Sequence, residues 1–188
     1  MERFRELTAG DIEVKVKKIT GKGAVLLLYK TARTDMDILD ETVGAENWTC
    51  DYRDIKGNLY CGIGIRADET AGFVWKWDCG IESREDGDGN QKKGEASDAF
   101  KRAGFKWGIG RELYTAPFIF VPAERFKIEY RLKNQKGEDN EYNRTYFTYD
   151  KFVVEKIAYD EHRQVSGLAI RNQTKDTRVF RWQAGDGA

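Results

Sequence analysis

The segment Lys92-Lys93-Gly94-Glu95-Ala96-Ser97-Asp98-Ala99-Phe100-Lys101-Arg102-Ala103-Gly104-Phe105-Lys106-Trp107-Gly108-Ile109-Gly110 is written to a helical period and specifies two unlike faces. Ala96, Ala99, Phe100, Ala103 and Trp107 recur at three- and four-residue steps, forming one apolar stripe that must be buried against another element. Lys101, Arg102, Phe105 and Lys106 fall on the other side, with Asp98 among them. The sequence therefore predicts a helix buried along one face and cationic, with an aromatic ring, along the other. Such a surface suits a polyanion whose bases can be stacked, and single-stranded nucleic acid is the commonest. The plainer reading is a solvated face carrying an ordinary Asp98–Arg102 pair four residues apart.

The partner for the apolar stripe is written upstream as alternation. Trp48, Cys50 and Tyr52 alternate with Thr49, Asp51 and Arg53; Leu59, Cys61, Ile63 and Ile65 with Tyr60, Gly62, Gly64 and Arg66; Phe73, Trp75, Trp77 and Cys79 with Val74, Lys76 and Asp78. Lys56-Gly57-Asn58 and the polar stretch Ala67 to Gly72 join these runs, which predicts an antiparallel meander with its apolar face under the helix. Gly62 and Gly64 leave room for close approach of another element to the sheet. Ile12, Val14 and Val16 mark an earlier strand, and Ala24 to Tyr29 a second, buried one. A helix from Thr31 to Val43 follows, with Thr31 as N-cap, Gly44 as stop, and Ala32, Met36, Leu39 and Val43 as its apolar members. Its acids are expected to face water or a neighbouring subunit.

After Gly110, Pro117 and Pro122 punctuate the chain and Phe126, Ile128, Tyr130 and Leu132 alternate as a strand. Lys133 to Asn143 reads as a loop; Phe152 to Tyr159, Val165 to Asn172 and Thr177 to Trp182 read as a small sheet with a tip at Asp160 to Arg163. The expected class is α+β: an antiparallel sheet meander packed on a long helix, with a C-terminal β-rich extension. Residues 1–122 form the core and 123–188 the extension, as part of the same sheet or as a second lobe.

Charge is balanced overall, with 32 basic against 32 acidic residues, but unevenly spread. Ile12 to Arg33 holds six cations, Lys18 and Lys22 among them, against one acid, and Lys92 to Arg111 holds six against two. Two basic segments facing one groove would bind phosphates without a basic whole. No apolar run approaches the roughly 18 residues of a membrane span, and the opening residues lead into no signal-type stretch, so the expected location is the cytoplasm without membrane association. Cys50, Cys61 and Cys79 lack metal or redox spacing and fall in the apolar phase of their strands, which predicts buried, reduced thiols. The one histidine, His162, lies in a hairpin tip without a positioned partner. Gly62-Ile63-Gly64 and Gly108-Ile109-Gly110 lack the third glycine of a dinucleotide site, and Asp86 to Asn90 departs from a calcium loop, reading as a flexible connection. The expectation is a binding protein, not an enzyme, with no cofactor and no metal.

Gly-Glu-Ala-Ser-Asp-Ala-Phe-Lys-Arg-Ala followed by Lys-Trp-Gly-Ile-Gly-Arg-Glu-Leu-Tyr closely resembles the helix motif of the Rad-fifty-two-type single-strand annealing proteins, a family that includes phage recombination proteins. The resemblance extends to Leu27–Trp48, through Tyr29, Arg33, Leu39, Glu41, Gly44 and Trp48 in family-like order, and to Leu59–Gly80; it covers roughly the first 120 residues. It implies that Lys101 and Arg102 line a groove for single-stranded DNA, that Lys92 and Lys93 form a second, outer strand-binding surface, and that Tyr29 lies near the DNA, although a tyrosine ending a buried strand also suits a core. Phe105 is either a base-stacking ring or a plug into an adjacent subunit; Trp107 is assigned to packing. Lys101, Arg102 and Lys106, with Lys18 and Lys22, would hold one strand while its base edges test a complement, without ATP. The resemblance further implies a ring or helical homo-oligomer, acting in homologous recombination or repair beside a phage exonuclease or a host single-strand-binding protein. A passive single-strand binder, and a structural or partner-binding protein, are the alternatives.

Overall fold

The computed structural model describes residues 3–66, 68, 70–81 and 88–185, and side chains within the second helix from residue 94 onward. In chain order the elements are β1 (Ile12–Thr20), β2 (Gly23–Lys30), α1 (Ala32–Val43), β3 (Trp48–Ile55), β4 (Asn58–Ile65), β5 (Val74–Cys79), α2 (Asp88–Trp107), β6 (Ile119–Pro122), β7 (Glu129–Leu132), β8 (Arg144–Phe147), β9 (Phe152–Tyr159), β10 (Val165–Asn172) and β11 (Thr177–Gln183). The class is α+β, with antiparallel sheets and two helices. The chain forms two compact units, one of residues Met1–Leu7 and Lys30–Arg111, the other of Thr8–Tyr29 and Glu112–Ala188. No helix among the described residues is long and apolar enough to cross a membrane.

In the first unit β3, β4 and β5 form the antiparallel meander in that order. The β3–β4 turn is tight because Lys56 and Gly57 both take left-handed backbone, at φ 55° and 76°. Thr31 caps α1, its hydroxyl accepting from the Thr34 amide at 3.2 Å, and Gly44 ends the helix at φ 85°. The buried side of α1 is Thr34, Asp35, Ile38 and Leu39, while Met36 is exposed. This face is rotated from the expected Ala32, Met36, Leu39 and Val43, because Asp35 is drawn inward to the Lys30 ammonium. The stripe of α2 lies where its period puts it: Ala99, Phe100 and Ala103 are fully buried, and the Trp107 indole donates to the Ile63 carbonyl at 2.9 Å. Trp48 meets Phe100 edge to face at 6.1 Å and donates to Asp40 of α1 at 2.6 Å, tying β3, α1 and α2 together.

The phase of β5 is opposite to the expected one. Cys61, Ile63 and Ile65 turn to the helix side and are buried, and their cross-strand partners on β5 are Asp78, Lys76 and Val74. Trp77 and Trp75 sit opposite Gly62 and Gly64, so they occupy the other face of the sheet. A Cβ built on Gly62 would lie 2.4 Å from the Trp77 ring, and one on Gly64 2.9 Å from Trp75. The element that approaches the two glycines is therefore this chain's own pair of indoles. Among the thiols, all free, Cys61 is buried as expected, Cys79 is half-buried and Cys50 is exposed, because β3 is an edge of the meander.

The second unit holds a six-stranded sheet in the order β11-β10-β9-β1-β2-β6, whose edge strands β11 and β6 approach one another so that the sheet nearly closes. β7 and β8 form a separate hairpin. The tip at 160–163 is an Asp-stabilised turn: Asp160 Oδ1 accepts from the His162 and Gln164 amides at 2.9 Å each, with His162 exposed. Residues 86 and 87 of the expected flexible connection lie outside the described residues.

Candidate nucleic-acid interface

Close glycine contacts seat α2 on the chain after β5 and on α1. A Cβ on Gly80 would lie 2.1 Å from the Glu95 carbonyl oxygen, so only glycine lets the chain after β5 touch the helix backbone. Glu95 and Asp98 face this contact and accept from the Leu59 and Ile81 amides, at 3.1 and 3.2 Å. Asp98 therefore does not form the expected pair with Arg102. Near the C-terminal end a Cβ on Gly104 would lie 2.5 Å from Asp35 Oδ2. Beneath that glycine the Lys30 ammonium donates to both Asp35 oxygens and to the Lys101 carbonyl at 3.3 Å, and it lies 4.2 Å from the Phe105 ring centroid. Burial pushes the Asp35 carboxyl up to about 6, against the pull of Lys30. Phe105 thus faces a cation of its own unit.

The exposed flank of α2 is cationic, but its cations are not equivalent. Among the described residues the Lys101 ammonium makes no ion pair and no hydrogen bond. Arg102 lies beside it, its Nε buried without an acceptor and 3.7 Å from Asp78 Oδ1, and its terminal nitrogens bind nothing among the described residues. Lys106 is half exposed; its ammonium donates to the Trp77 carbonyl and lies 3.7 Å from Asp78 Oδ2. The remaining cations nearby cap the helix, whose C-terminal carbonyls carry the negative end of its dipole. Arg111 donates to the Phe105 and Lys106 carbonyls at 2.6 and 2.8 Å, and the Lys76 ammonium donates to the Lys106 carbonyl at 3.0 Å while lying 4.2 Å from the Trp107 ring centroid. Gly108, at φ 103°, ends the helix.

Of the residues chosen from the sequence, Lys101, Arg102, Phe105 and Lys106 are thus gathered within two turns of one helix, Lys101 and Arg102 half-buried, Lys106 exposed and Phe105 over Lys30. Lys92 and Lys93 fall in the first turns of α2, and their side chains lie outside the described residues. Lys18, Lys22 and Tyr29 belong to the second unit. Lys18 on β1 and Lys22 in the following turn are exposed. Tyr29 donates its hydroxyl to Glu13 of β1; burial first, then that carboxylate, push the phenol up to about 12. Two grooves of the second unit, of about 610 and 590 Å³, are lined by none of the chosen residues.

Sequence reasoning missed Asp78, Lys30 and Asp35, which position the flank without belonging to it. The signal for Asp78 was its place in the strand alternation, once the phase of β5 is set by Gly62 and Gly64. Comparison with protein-family models, with curated proteins and with solved structures gives no match to this chain.

Proposed function

We propose that this chain binds single-stranded DNA along the outer flank of α2 and, without nucleotide fuel, anneals complementary strands. The observation that carries the reading is the adjacent pair Lys101 and Arg102, whose terminal donors no described residue uses, on a helix locked at both ends by glycine contacts. Phosphate contacts of this kind hold a backbone without reading it and leave base edges free for a second strand. Lys106, restrained by Asp78 but half exposed, extends the strip by one turn. A ring or helix of protomers, a place in the cytoplasm and a role in phage recombination beside an exonuclease are proposed on the strength of the helix motif's resemblance.

The test mixes two labelled complementary oligonucleotides with the purified chain in the absence of ATP. Pairing is expected to accelerate, and Lys101→Ala with Arg102→Ala is expected to abolish the acceleration and weaken binding. Pairing that slows while the oligonucleotides stay bound identifies a passive single-strand binder. Retention of DNA unchanged by the double substitution removes the α2 flank from the reading.

A further inference from the structure

The far face of the meander, opposite α2, carries an aromatic ladder that the α2 reading does not use. Phe73, just before β5, and Trp75 and Trp77 on it follow one another with ring centroids 6.0 Å and 5.6 Å apart, and the two indoles lie within 26° of parallel. Gly64 and Gly62 form the floor: ring atoms of Trp75 and Trp77 lie where each glycine would carry a side chain, so the indoles rest flat on the β4 backbone. Phe73 and Trp75 remain 37% and 38% exposed, so two large apolar rings stand open side by side on this face, as at an interaction site.

Charge is distributed around the ladder with a gap in the middle. The Arg53 guanidinium lies 4.4 Å from the Trp77 centroid and that of Arg66 lies 5.4 Å from the Phe73 centroid; Trp75, between them, carries no cation among the described residues. Arg53 spends its Nε on Asp51 at 3.0 Å, and its terminal nitrogens bind nothing among the described residues. Arg66 is anchored by Asn47 and by the Glu46 carbonyl, at 3.3 and 2.8 Å, which fixes its reach. The arrangement is an open ring face flanked on both sides by guanidiniums.

We infer that this ladder is a stacking platform for unpaired nucleobases, one base on Trp75, with the adjoining phosphates reaching Arg53 and Arg66. Ring spacings of 5.6 and 6.0 Å exceed the roughly 3.4 Å rise of a strand in a duplex, so they suit an extended strand with its bases apart. A second copy of the chain is the poorer occupant. It would bury Arg53, Asp51 and Arg66 at the middle of a contact, where interfaces are depleted of charge, whereas a polyanion is complementary to the two guanidiniums. The inference takes its ligand class from the function proposed above and rests on different residues.

The test is binding of an unlabelled oligothymidylate, followed by tryptophan fluorescence, to the full chain and to Trp75→Ala, Trp75→Phe and Lys101→Ala/Arg102→Ala. Stacking predicts quenching on binding, a loss of affinity of at least about fivefold in Trp75→Ala, and retention of most of the affinity in Trp75→Phe. An unchanged affinity in a folded Trp75→Ala overturns the platform, and the double lysine–arginine variant then still decides the α2 flank by itself. If Trp75→Ala changes only the oligomeric state, a second copy covers the ladder and the platform is likewise overturned. Photocrosslinking of the intact chain to an oligonucleotide containing 5-iodouracil needs no substitution. Crosslinks within 73–77 support the platform, and crosslinks only elsewhere sink it.

Discussion

Lys30 ends β2 with its side chain 1% exposed, and Asp35, one helical turn into α1, is 0% exposed. Together they are a buried ion pair whose partners also touch the Lys101 carbonyl and the Phe105 ring, so they set the height at which α2 rides over α1. Desolvating two charges is repaid only while both remain. Asp35→Asn is therefore expected to cost about 3–5 kcal/mol, because it strands the Lys30 ammonium in an apolar site. The volume-conserving double change Lys30→Met/Asp35→Leu should recover most of that loss or exceed the parent in stability, as read from urea midpoints. A double variant as unstable as the single one would show that the pair does more than satisfy itself. Neither residue was legible as buried. A lysine closing a strand and an aspartate in an acidic helix both read as solvent-facing, and only the glycine at 104 hints that something polar must fit beneath α2.

At the level of elements, periods were easier to read than faces. The α2 stripe came out of the sequence because five apolar positions at helical spacing allow one orientation. A strand's period of two allows two orientations, and in β5 the larger apolar residues pointed to the wrong one. Trp75 and Trp77 lie away from the helix because Gly62 and Gly64, directly across, offer a flat seat, while Lys76 and Asp78 serve the C-terminal carbonyls and cations of α2. β6 and β8, four residues each, were missed because so short a segment shows no period at all. β9, β10 and β11 were legible, and besides their backbone ladders a charge cluster ties them together. Glu155 of β9 accepts from Arg178 Nε at 2.6 Å and from Arg171 Nη2 at 2.7 Å, and Arg178, then Arg171, hold its carboxyl down at about 2. A depressed carboxyl contributes stability above its unfolded value of roughly 4.3 and loses it as pH falls through the folded one. Amide exchange in β10 should therefore quicken as pH drops from about 4 towards 2, beyond the change in intrinsic rate, and Glu155→Gln should show less of that acid-specific increase. Equal acid sensitivity in both proteins would remove Glu155 from the account.

For the whole molecule, a net charge of zero means that attraction to DNA has to come from local arrangement, and salt dependence can count how many cations take part. Each phosphate neutralised on a single strand contributes about −0.7 to the slope of log affinity against log salt. If Lys101, Arg102 and Lys106 are the contacts, the slope per protomer is expected near −2 between about 50 and 200 mM salt, falling by about 1.4 in Lys101→Ala/Arg102→Ala. A slope close to zero would remove phosphate contacts at α2 and at the guanidiniums of the β5 ladder alike, leaving base stacking as the sole source of affinity. A slope several units steeper would require more cations than α2 exposes. The five exposed basic residues between Ile12 and Arg33, which are Lys15, Lys17, Lys18, Lys22 and Arg33, are the reserve that could supply them, whereas Lys30 is buried. In that case Lys18→Ala/Lys22→Ala would flatten the slope by a further 1.4 or so. Failure of the two increments to add would show that the two basic segments act on one strand together.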